Sequence, residues 1–138
     1  MAYAKALPQA TPETQEFWDG LKRHELRIQK CQDCNEFYFF PRPFCPAPGC
    51  RSLNVAWETV SGKGKLHTYV ISHRGFGGWA EEVPYVIAIV ELDEGPKLMT
   101  NIINVEPEPA NLKPDMAVEI VYDDVTDEVT LPKFQPAG

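Results

Sequence analysis

A chain of 138 residues, 43% of them hydrophobic, has the length and apolar content for one compact domain, or for one domain with a small appendage. Its formal charge of -7 makes it a poor general binder of nucleic acid, where affinity comes mostly from phosphate neutralisation, and it contains no apolar run of the roughly 18 residues that a membrane-crossing helix needs. The charge is unevenly spread: residues 20–74 hold nine Lys/Arg against four Asp/Glu (+5) and residues 75–138 hold three against thirteen (-10), so the basic half can still face an anionic ligand locally.

The opening "MAYAKALPQATPETQ" lacks the long apolar segment of a secretory signal, which points to the cytoplasm, where thiols stay reduced. Residues 1–10 are expected to be disordered or loosely docked. "TPETQEFWDGLKRHE" predicts a helix. Thr11 suits the cap, Pro12 the first helical position, and Glu13 and Glu16 the N-terminal dipole. Phe17 and Leu21 share a face, with Trp18 beside them. A helix this short and only partly amphipathic must dock on its own domain or on another chain. "ELRIQKC" then alternates, Leu26 and Ile28 against Arg27 and Gln29, which is the period of a strand.

That strand runs into "KCQDCNEFYFFPRPFCPAPGC" (30–50), which holds all four cysteines of the chain. Cys31 and Cys34 are separated by two residues, Cys45 and Cys50 by four. Two tight turns of this kind can aim four thiolates at one ion, with backbone amides helping to hold the negative charge. Asn35 suits a left-handed position after the first pair, and Gly49 relaxes the second turn. Four sulfurs and no nitrogen favour a closed, tetrahedral, structural zinc site, with iron as the rival metal. In a chain without a secretory signal, metal is the better reading than two disulfides. A ribbon of about 25 residues cannot build its own core, so the ion would decide whether it folds. Phe37, Tyr38, Phe39, Phe40 and Phe44 would either cover the site and seat the ribbon or present a surface to a partner.

Beyond the cysteines, "NVAWETVSGKGKLHTYVISHRG" predicts two strands joined at "SGKG". "VPYVIAIVELDEGPKLMTNIINV" predicts a hairpin turning at "DEGP", and "MAVEIVYDDVTDEVTLPKF" another turning near Asp123–Asp127. About five strands over 55–134 fit a small closed barrel of the OB type, with "VEPEPANLKPDM" as its longer connection. Three prolines there argue against a full helix. If the cysteines hold metal, none remains as a nucleophile. Neither Ser52, Ser61 and Ser72 nor His24, His67 and His73 sit in a recognisable catalytic motif. The loop "SHRGFGGWAEEVP" (72–84) suits ligand or partner contact through Arg74, His73, Phe76 and Trp79, or else folds its aromatics back onto the barrel. Arg51, Lys63, Lys65 and Arg74 are candidates to meet phosphates, or ordinary solvated charges.

In the order helix, four-cysteine ribbon, "PYVIAIVEL" strand and "MAVEIVYDDV" strand, the chain resembles the zinc-ribbon/OB-fold family of acyl-CoA-associated proteins, formerly a domain of unknown function. The resemblance spans nearly the whole chain. It implies a mainly β fold: an N-terminal helical segment (1–25), a rubredoxin-like four-cysteine zinc ribbon (26–54), and a five-stranded OB-fold barrel with a C-terminal tail (55–138). It implies structural zinc on Cys31, Cys34, Cys45 and Cys50, no catalytic residue, and an accessory role in a hetero-oligomer. A larger thiolase-like, aldolase or hydratase-fold subunit would supply catalysis, and a coenzyme A thioester would be bound jointly with it. Arg74, His73 and Trp79 are then the candidates for acyl-CoA or partner contact. Two rivals remain: a module for single-stranded nucleic acid, and a small electron carrier with iron in the sulfur site.

Overall fold

The structure, a computed structural model, describes residues 3–137. The one α-helix among the described residues, α1, spans Gln15–Lys22. It starts later than predicted because Thr11 and Thr14 satisfy each other first. The Thr14 amide donates to the Thr11 carbonyl at 3.0 Å, and the Thr11 amide donates to the Thr14 hydroxyl at 2.8 Å. Its end is set by His24, whose φ of 61° turns the chain left-handed. The His24 amide then donates to the Leu21 carbonyl and the Glu25 amide to that of Gly20, each at 2.9 Å, which satisfies two carbonyls the last turn would leave bare.

The chain then forms β1 (Leu26–Cys31), β2 (Phe37–Tyr38) and β3 (Val55–Val60), an antiparallel sheet in the order β2-β1-β3. The β3 strand, counted from the sequence with the barrel, pairs along all of β1 instead, from Leu26 opposite Val60 to Cys31 opposite Val55. Six strands therefore follow the cysteines, and the "SGKG" junction is no hairpin. Gly62, at φ 76°, carries the chain from one sheet to the other.

Five strands close the barrel: β4 (Lys63–Ser72), β5 (Tyr85–Leu92), β6 (Lys97–Ile102), β7 (Ala117–Asp124) and β8 (Thr130–Pro136), in the order β4-β5-β6-β8-β7. β7 pairs back onto β4, so the sheet closes on itself and leaves no open edge. Alternation drives this. In β5, Val86, Ala88, Val90 and Leu92 are buried while Tyr85, Ile87, Ile89 and Glu91 face outward. The turn at "DEGP" forms as predicted, with Gly95 at φ 119°, and the last hairpin turns through 125–129. Phe134, Leu66 and Val90 are fully buried, and Leu112 from the β6–β7 connection joins them. That connection holds a single turn of 3-10 helix, Pro109–Asn111, as its prolines allow. Phe17 and Leu21 of α1 and Leu26 and Ile28 of β1 belong to the same cluster, so helix, ribbon sheet and barrel share one core.

Candidate metal centre and glycine loop

β1 delivers Cys31 at its last residue, and the turn that follows carries Cys34. Asn35 makes this turn possible. At φ 66° it bends the chain back, and its amide donates to the Cys31 carbonyl at 2.9 Å. Cys45 and Cys50 bracket a second loop between β2 and β3, eased by Gly49 at φ 81°. The Cys34 amide points at the Cys31 sulfur and the Ala47 amide at the Cys45 sulfur, each at 3.4 Å. Asp33 ties the two loops together by accepting from the Ser52 hydroxyl and, at 3.2 Å, from the Asn54 side-chain amide. Gln29, buried in β1, accepts the Arg42 amide at 2.7 Å and steadies the segment entering Cys45.

The four sulfurs lie within 4.8 Å of one another. Cys31 and Cys50 are 3.7 Å apart and Cys34 and Cys45 are 3.6 Å apart. Disulfides would bring sulfurs to about 2.05 Å. Sulfurs about 2.3 Å from a central ion in a regular tetrahedron sit about 3.8 Å from each other, so the quartet fits a tetrahedral metal. Electrostatics ask for a cation as well. Backbone amides, led by that of Cys34, draw the Cys31 thiol down to about 7, while burial pushes the Cys45 thiol up to about 12. Cys50 is raised too: the Ser52 amide pulls it down, but burial and the sulfurs of Cys31 and Cys34 outweigh that pull. Four such groups cannot all ionise side by side without a cation to compensate them.

The aromatics divide. Tyr38 is buried and donates its hydroxyl to the Arg42 carbonyl at 3.1 Å. Phe37 and Phe44 are half-buried. Phe39 packs edge-on against Phe17 at 5.5 Å and so seats the ribbon on α1. Phe40 remains 72% exposed on the rim of a groove of about 380 Å³ between Trp18, Pro41, Met99 and Pro132.

The loop after β4 is folded. The Ser72 hydroxyl donates to the Arg74 carbonyl at 2.7 Å, and a 3-10 turn forms over Gly77–Trp79. Trp79 folds back and stacks on Tyr85 at 4.4 Å, whereas His73 and Arg74 are exposed and Phe76 is 82% exposed. Of the four basic candidates, Arg51 lies in the ribbon, Lys63 and Lys65 open the ten-residue β4, and Arg74 lies past its far end, so they do not converge. His67 is exposed on β4.

Sequence reasoning missed several contacts. Lys5 reaches Glu82 at 2.8 Å and lies over the Trp79 ring at 4.4 Å, though residues 1–10 carry no periodicity to announce it. His24 stacks on Tyr122 at 4.9 Å and meets Asp124 at 2.9 Å, latching the helix end to β7. The Asp33–Ser52–Asn54 tie was signalled only by polar residues next to cysteines. On the outer barrel face the registers stack Val70–Ile87–Asn101, Thr68–Ile89–Met99 and Lys65–Glu91–Lys97 in rows, and Met99 is 70% exposed.

Comparison with known proteins agrees with this architecture. Residues 18–56 match the family model for the ChsH2 rubredoxin-like zinc ribbon domain, and residues 57–123 that for the ChsH2 C-terminal OB-fold domain. A probable enoyl-CoA hydratase alpha subunit of Thermomonospora curvata is 36% identical over 126 residues, which is 88% of this chain and only 37% of the longer hydratase subunit. A DUF35 domain-containing scaffold protein of Methanocaldococcus jannaschii is 36% identical over 107 residues, covering 76% of this chain and 73% of its own. Among solved structures, a chain of the Ltp2-ChsH2(DUF35) aldolase superposes with a TM-score of 0.80 at 30% identity, covering 96% of this chain and 100% of its own.

Proposed function

The chain belongs to the DUF35 family of zinc-ribbon and OB-fold proteins, and from that premise we propose that it is the small, non-catalytic subunit of a heteromeric acyl-CoA enzyme. The observation that carries this reading is the sulfur quartet. It occupies every cysteine of the chain in one tetrahedral cluster and leaves no thiol for chemistry. Cys31, Cys34, Cys45 and Cys50 would hold one zinc ion, which supplies a cross-link and charge compensation within the ribbon. The protein's own residues do the rest: amides hold the sulfurs, Asp33 joins the two loops, and Phe39 seats the ribbon on the helix. A hydratase subunit and an aldolase among the similar proteins support an acyl-CoA setting. The companion would be a larger hydratase-fold or thiolase-like subunit that supplies the acid–base groups. A coenzyme A thioester would lie between the two chains, near the exposed Arg74 and His73 and the stacked Trp79, in the cytoplasm, where thiolates persist.

The outer face of β4–β6 bears on the nucleic-acid alternative. Strand binding on such a barrel uses stacking aromatics along a basic groove. Here the central rows, Val70–Ile87–Asn101 and Thr68–Ile89–Met99, hold no aromatic and no cation, and the charged row sets Lys65 and Lys97 against Glu91. That composition suits a protein companion better than a polynucleotide.

Native purification of the tagged chain, with mass spectrometry of what co-elutes, identifies the companion. Metal analysis should give one zinc per chain. The companion's acyl-CoA activity should fall when this chain is omitted, and a companion fully active alone removes the reading.

A further inference from the structure

Lys5 does something the proposed function does not use. Its ammonium is 2.8 Å from the Glu82 carboxylate and lies over two rings, Trp79 at 4.4 Å and Tyr3 at 5.2 Å. Only 10% of its side chain is exposed, although it belongs to a stretch without secondary structure. A lysine loses much side-chain freedom when held like this, and an isolated exposed pair would not hold it. The ring faces and the carboxylate together make the arrangement favourable.

The neighbouring residue is equally specific. A Cβ on Gly78 would stand 2.5 Å from the carbonyl group of Ala4, so the segment crosses the loop at the one place where only glycine lets two backbones meet. Trp79 lies under the Lys5 ammonium and also stacks on Tyr85. The loop is thus braced at Gly78 and Trp79, while Arg74 and the largely exposed Phe76 stay open to contact.

We infer that Tyr3–Lys5 is a strap that clamps the 73–82 loop, with Lys5 as the positioning residue that fixes how His73, Arg74 and Phe76 are presented. The clamp is a property of this chain alone. Its importance for contact with a companion or acyl-CoA rests on the function proposed above. Releasing the strap frees Trp79 and turns a set surface into a mobile one, so strap and loop open together. A glycine-rich loop with a bulky exposed ring at its tip binds best when its conformation is fixed beforehand, because ordering it on contact would weaken binding.

The Arg74–Gly75 bond is a built-in reporter, since trypsin cuts after arginine only where the backbone opens. The experiment compares trypsin cleavage of the purified full chain at Arg74–Gly75 and at Lys97–Leu98 in β6, which serves as the control for global opening. Lys5→Ala should accelerate the first cut about tenfold and leave the second unchanged. Lys5→Arg, which keeps the cation and its reach, should stay close to wild type. Gly78→Ala leaves Lys5 intact and adds only the Cβ that meets Ala4, so it should behave like Lys5→Ala. Unchanged cleavage at Arg74–Gly75 in both Lys5→Ala and Gly78→Ala overturns the clamp. Equal acceleration of both cuts overturns it too, because the effect would then be loss of the whole fold. Because the assay needs no companion, a failed clamp is distinguishable from a failed subunit assignment, which the companion's activity tests separately.

Discussion

The ribbon and the barrel are made from neighbouring parts of one chain by opposite means. The barrel carries its organising force in its own side chains: alternating strands bury Leu66, Val90, Leu92 and Phe134, and closure leaves no edge. Between β1 and β3 the ribbon has a two-residue strand, two loops and a cluster of thiols that repel each other's ionised forms. One region is stabilised by excluding water; the other is built to be stabilised by a cation among its four sulfurs. Perturbations should therefore sort cleanly between them.

Removing the metal is the strongest. Chelation, or Cys45→Ser, should cost the ribbon on the order of 10 kcal/mol of binding-linked folding energy. Zinc should be lost and amides 31–54 should exchange freely, while amides of β5 and β6 stay protected. Hydrogen exchange by mass spectrometry checks this, and loss of protection in both regions at once would erase the distinction. Cys34→Ser should likewise lose metal and loosen the interface with a companion rather than slow a chemical step selectively.

The converse perturbation is Phe134→Ala. It empties a fully buried aromatic site in β8 and should destabilise the protein by about 3–5 kcal/mol, read from the urea midpoint. The folded fraction should still bind one zinc. A variant that lost zinc stoichiometrically while folded would show that ribbon and barrel are not separable in this way.

A smaller effect belongs to the seam between helix and barrel. The Thr130 hydroxyl, and then His24, hold the Asp124 carboxyl below its ordinary value. A depressed folded-state value means that the contribution is present above the unfolded-state value and is lost as pH falls through the folded one. Both partners are about half exposed, so solvent screening keeps the effect small. Asp124→Asn should lower the urea midpoint slightly near neutral pH and match wild type in acid. A gap that persists in acid would assign the loss to packing rather than charge. At the first ribbon turn, Asn35→Gly should be nearly neutral while Asn35→Ala costs about 1 kcal/mol, because the position sits at φ 66°.

The same contrast explains what could be read in the sequence. Local signals were sufficient where the physics is local. Cysteine spacing announced the quartet, Asn35 and Gly49 its turns, and strict alternation in "YVIAIVEL" the barrel strand. They failed where a residue's role depends on something far along the chain. Nothing near Val55–Val60 says that its partner is β1 rather than β4, because both pairings bury the same kind of residue. Thr11 is a good cap by type, but Thr14 satisfies it first. Residues 1–10 read as disordered or loosely docked because Trp79 and Glu82, which hold Lys5, are more than seventy residues away. His73 and Arg74 were correctly placed on a loop, but the spacing could not say that the loop is folded and that Trp79 turns inward.

In the function proposed, this chain builds a scaffold and leaves the chemistry to a companion. The most direct measurement is turnover of an acyl-CoA thioester by the zinc-loaded chain alone, by its purified companion alone, and by the two recombined. The chain alone should give no turnover, the companion alone reduced turnover, and only the recombined pair full turnover. Substantial turnover by the isolated chain would contradict it.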